Sequence, residues 1–175
     1  LTGFPYVALM AGWLEIELGR PKEQVAEVAL VSALGALSAS LWAARFADSA
    51  KATRVYSALG VAFGVALLLF GLAPGFISGL VAVFLVGAAS GGFHALNGAV
   101  IARETDPRYM GRVMSLTFIA FAGFSLTAAP LGYLADIYGV RNVLFGMGLG
   151  VIVIALVMSA RVARDARDAA SKNLA

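Results

Sequence analysis

The sequence predicts an all-α integral membrane protein, and three observations carry that prediction. Of its 175 residues, 61% are hydrophobic and only 13% are charged, with a mean hydropathy of +0.88. Soluble domains hold about 45–50% apolar and about 25% charged residues, so too little polar surface is present to cover one. Charge-free runs recur along the chain at lengths that match a bilayer core of about 30 Å, which takes about 20 helical residues to cross. Runs such as LLLFGLAP and IVIALVMSA do not alternate apolar with polar residues as barrel strands do. A helix satisfies its own backbone in hydrocarbon, so each crossing is expected to be helical.

The crossings follow in order. Leu1–Leu14 is apolar but short and runs into Glu15, Glu17, Gly19 and Pro21, which reads as the end of a crossing whose beginning is missing. Val28–Ala44 is 17 residues without a charge, and Val55–Ala102 is 48. The longer run is split by Pro74-Gly75, a strong turn signal, into crossings near Val55–Leu72 and Ile77–Ala102. Val113–Ala135 and Asn142–Ala160 complete six crossings, within a membrane unit of 1–161 followed by a tail of 162–175. Pro130 is expected to kink the fifth. Gly60/Gly64, Gly87/Gly91 and Gly146/Gly150 have the small-xxx-small spacing that lets helices approach closely.

Lysine and arginine counts set the orientation. Ten fall on one side, in the second and fourth connections and the tail, against three on the other, Arg20, Lys22 and Arg141. The richer side is expected to be cytoplasmic, with the C-terminus on it, in a multi-pass protein of the cell membrane. In the tail, Arg161/Asp165 and Arg164/Asp168 at i,i+4 spacing favour a short helical extension. The absence of cysteine excludes disulfides, thiolate catalysis and iron–sulfur ligation, and one histidine argues against a metal centre. Basic residues scattered over short loops give no nucleic-acid patch.

Two stretches echo one another, LWAARFADSAKATRVYSALGVAFGVALLL and APLGYLADIYGVRNVLFGMGLGVIVIALV. Each ends a helix, passes an Asp and a basic residue, and starts another. Three crossings separate them, so the copies are inverted, the symmetry of three-plus-three repeats in secondary transporters. GYLADIYGVR, with Gly132, Leu134, Asp136, Gly139 and Arg141, resembles the loop signature of the major facilitator superfamily, with Ile137 where a basic residue is usual. ARFADSAKATR is a more degenerate copy that keeps Asp48 and Arg54, and ETDPRYMGRVMSL resembles the basic loop entering the fifth helix of each half. The stretch from Pro5 to Asp48 looks like the seventh and eighth helices of that superfamily's exporter branch.

The resemblance covers about Phe4 to Val162. It implies the C-terminal six-helix half of a twelve-helix bundle, with helices one to six as the missing partner. It further implies substrate passage through a central cavity lined by the first and fourth helices of each half.

Candidate residues follow from helical spacing in those two crossings. In SGGFHALNG, Ser90, His94 and Asn97 share one stripe, and polar groups at membrane depth are costly unless they face a cavity or another helix. In the first crossing Tyr6, Met10 and Trp13 repeat the spacing, a face suited to a bulky apolar substrate or to lipid or interhelical packing, with Trp13 in the interfacial aromatic belt beside Glu15. Asp48 with Arg54, Arg112, and Asp136 with Arg141 are read as conformational gating groups, the alternative being solvated loop charge. Glu15 and Glu17 read as loop-edge acids.

The function expected is secondary active transport without a cofactor: proton-driven export of amphipathic, drug-like small molecules by alternating access. Uptake of a small metabolite is the alternative; a channel or membrane scaffold is weaker. An intramembrane enzyme is disfavoured, since Ser90 and His94 share one helix and no second base exists. Lipid and a small-molecule substrate are the other expected partners.

Overall fold

Each expected crossing is a helix in the computed structural model, which describes residues 6–172. The order is α1 (Tyr6–Gly12), α2 (Val25–Ala44), α3 (Ala52–Leu72), α4 (Phe76–Glu104), α5 (Met110–Tyr138) and α6 (Val140–Lys172). The part of the first crossing at residues 1–5 lies outside the described residues, as do the side chains of Asp165 and Asp168, the acidic members of the tail pairs. Among the described residues, α2, α3, α4 and the Val140–Arg161 part of α6 are each long and apolar enough to span a membrane. Leu30, Leu34, Leu37 and Leu41 form an exposed stripe along α2, a surface suited to hydrocarbon or another apolar helix rather than water.

The connections are short because their residues turn tightly. Pro74 and Gly75 break the long apolar run, and Gly75 leads into α4, where the Ser78 hydroxyl accepts from the Gly75 N–H at 3.1 Å. Gly139 has φ +86°, a conformation costly for a residue with a Cβ, and it joins α5 to α6 in a single step. The motif glycine therefore has a backbone reason.

Packing follows an exchange between the two helix triplets. α4 packs on α2 and α3, while α1 touches α5 and α6, and α3 lies along α6. Each of α1 and α4 thus sits against the second and third helices of the other triplet, as an inverted repeat requires. Small residues set the closest approaches. Gly87 lies on the backbone of Ser32 and Gly35 on that of Phe84, joining α2 to α4. Gly64 meets the Gly148 carbonyl and Ile152 between α3 and α6. Gly146 and Gly150, expected to make such a contact, have nothing near them: Gly148 between them takes the role because it is the one turned toward α3.

The core gathers at the junction of α1, α3, α4 and α6, where Trp13, Leu14, Leu67, Phe70, Val83, Val86 and Leu144 are fully buried.

Candidate functional site

α1 departs from regular geometry where it meets that core. Trp13–Glu17 forms a five-residue π-helical stretch, ended by Gly19 at φ +60° and by the Arg20 N–H bonding the Leu14 carbonyl at 3.0 Å. Such wide turns are rare and concentrate at functional positions. The Trp13 ring packs on Phe70 of α3, centroids 4.9 Å apart, and occupies the space a side chain at Gly79 of α4 would need.

The two predicted stripes fare differently. Met10 and Trp13 are 1% and 0% exposed, so in this conformation they pack the interior of the bundle. Trp13 does not stand in an interfacial belt either; the π-helical stretch and Gly79 draw it inward. Tyr6 is also buried, and its hydroxyl meets that of Ser32 on α2 at 3.1 Å, with the Ser90 hydroxyl of α4 interacting alongside. Ser90 itself donates to the Gly87 carbonyl at 3.0 Å. Tyr6 and Ser32 thus satisfy one another across α1 and α2, and Ser90 bonds within α4, as buried polar groups require.

Farther along α4, His94 and Asn97 are half-buried. The Asn97 side-chain oxygen accepts from the Tyr56 hydroxyl of α3 at 3.1 Å. Tyr56 stacks on Phe93 with centroids 4.2 Å apart and planes 23° from parallel, and Phe93 presents its edge to His94 at 6.0 Å. An aromatic face and hydrogen-bonding edges thus lie side by side between Phe93 and Asn97 of one helix. Sequence reasoning passed over Tyr56; a hydroxyl inside a charge-free run was the signal that it needed a partner.

The gating candidates separate as well. Asp48, Arg54, Arg112 and Asp136 are exposed and form no ion pair among the described residues. Arg141, expected beside Asp136, turns instead to Glu17: its Nε lies 2.6 Å from the Glu17 carboxylate, and its Nη2 donates to the Ala73 carbonyl at 3.3 Å. Asp136 sits on the exposed side of the last turn of α5, whereas Arg141 opens α6 on the side facing α1 and α3. Glu17, read as a plain loop-edge acid, is its partner. At the opposite end of the bundle Arg103 of α4 donates to the Ser49 carbonyl, in the lead-in to α3, at 2.8 Å.

The family model described as Major Facilitator Superfamily matches residues 2–174. The chain is 29% identical over 128 residues to the purine ribonucleoside efflux pump NepI of Shigella dysenteriae, and likewise to those of Shigella sonnei and Escherichia coli. These matches cover 73% of the chain but 32% of each relative, so the chain spans about a third of the length of the curated relatives it matches. No solved structure matches it.

Proposed function

The chain belongs to the Major Facilitator Superfamily, and on that premise we propose that its six helices are the C-terminal half of a proton-driven exporter working by alternating access. It is a transporter and not an enzyme. The likeness to named efflux pumps is the observation that carries export. The cargo is an amphipathic molecule of purine-nucleoside type, with an aromatic base and hydrogen-bonding edges.

The patch on α4 agrees with such a cargo. Phe93 supplies an aromatic surface, and His94 and Asn97 supply polar edges within one turn. In this reading His94 and Asn97 touch substrate, while Tyr6, Met10, Trp13 and Ser90 form the packed layer behind them that α1 exposes when it moves. Asp48, Arg54, Arg112, Asp136 and Arg141 bias the access states. The arginine-rich end and the tail from residue 162 face the cytoplasm, and helices one to six complete the cavity.

The test is flux of a radiolabelled purine ribonucleoside in proteoliposomes holding the complete transporter. Saturable, outwardly directed movement that a protonophore abolishes is expected. Flux that rises linearly with concentration, or ignores the proton gradient, overturns the reading.

A further inference from the structure

Arg141 joins three helices at one end of the bundle. It pairs with Glu17 at the last residue of the π-helical stretch, donates to Ala73 at the end of α3, and belongs to the first turn of α6. The Ala73 carbonyl is one of those a helix end leaves without an intrahelical partner, so a guanidinium there is doubly favoured. Next to the pair, Gly12 of α1 lies against Val140 of α6, where a Cβ would stand 3.2 Å from the valine methyl, and Val140 is 2% exposed. The end of α1 is thus held by a buried apolar seam and, beyond it, by an ion pair.

The pair is reachable by water, with Glu17 and Arg141 side chains 21% and 39% exposed. An ion pair so placed is weak enough to open and re-form, unlike one sealed in the core. Its counterpart at the other end is instructive. In the inverted arrangement the end of α4 corresponds to the end of α1, and the start of α3 to the start of α6. There Arg103 ties α4 to the lead-in of α3 through a neutral carbonyl. Each of the two helices expected to line the cavity is therefore tied at its C-terminal end, on opposite faces, and the α1 tie is the ionic one.

We propose that Glu17 and Arg141 form a latch that holds the end of α1 closed over α6 and α3, and that opening this pair frees the π-helical end of α1 to change the access state. The proposal rests on the transporter reading. It makes Glu17 a positioning residue, acting through α1 and not on substrate.

The chain carries no cysteine, so Val140→Cys serves as a single reporter in the complete transporter, its other half likewise cleared of cysteine. It is reconstituted in lipid nanodiscs that leave both faces open to a maleimide. Glu17→Arg and Arg141→Glu each replace attraction by repulsion and are expected to speed labelling of the reporter by roughly fivefold or more. The doubly reversed protein, Glu17→Arg with Arg141→Glu, restores attraction and is expected to return the rate to within about twofold of the parent. Unchanged rates in the single variants, or a swap that stays fast, overturn the latch. If the reversed singles do not fold, Glu17→Gln decides: it keeps the shape, removes the charge, and must also speed labelling. The reagent reads the seam without substrate, so loss of the export reading would appear in flux while leaving this measurement to stand or fall alone.

Discussion

Tyr56 donates its phenolic hydrogen to the Asn97 side chain across the α3–α4 interface at 3.1 Å, while its ring lies stacked on Phe93, the residue before His94. One tyrosine on α3 therefore holds the polar patch of α4 by both its edge and its face. The side chain of Asn97 is thus held in one orientation, which in the proposed reading lowers the ordering cost of binding substrate.

Tyr56→Phe keeps the stacked ring and removes the hydrogen bond. Interhelical bonds in membrane bundles average about 0.6 kcal/mol and reach about 1.7, so a loss in that range is expected. A double-mutant cycle with Asn97→Ala, followed by thermal unfolding in detergent, measures it; zero coupling contradicts the bond.

Gly79→Ala puts a methyl group where the Trp13 ring lies. Forcing extra volume into a packed core costs about 1–3 kcal/mol. Unfolding temperature should fall, and Trp13→Leu in the same protein should recover part of the loss by vacating that space. Equal stability of Gly79→Ala and the parent would show that the ring is not seated there.

Gly139→Ala tests the α5–α6 junction. At φ +86° and ψ 144° a side chain is strained by about 1–3 kcal/mol. Gly132→Ala, inside α5 with nothing near it, should instead be neutral or gain up to about 1 kcal/mol of helix propensity. Folded yield by size-exclusion chromatography should drop for the first and hold for the second.

His94→Ala should raise the apparent KM for a transported purine ribonucleoside by about tenfold, the loss of one hydrogen bond of about 1–1.5 kcal/mol. Folded yield should stay near that of the parent. An unchanged KM removes His94 from the set that touches substrate.

Helix number and order were legible along the chain because length without charge is a one-dimensional property. Pro74-Gly75 split the longest run where α3 and α4 part, and the motif glycine at position 139 marked a junction that only a positive φ could close. Which glycine of Gly146, Gly148 and Gly150 meets α3 was not legible, since spacing defines a face but not which face another helix will meet. The stripes on α1 and α4 had the same spacing, yet Met10 and Trp13 went inward while His94 and Asn97 stayed half-buried. Spacing defines a face but not whether that face meets the packed core, and no periodicity announced the π-helical stretch that follows Gly12.

The amino-acid order alone determined that this is a membrane protein with helical crossings, because hydrocarbon demands apolar length and a self-satisfied backbone whatever the neighbours are. Only the tertiary structure decided the partners: Glu17 rather than Asp136 for Arg141, and Tyr56 for Asn97. Those choices join residues 124 and 41 positions apart. Such a pairing depends on which sides of two helices come to face each other, and that is settled by packing.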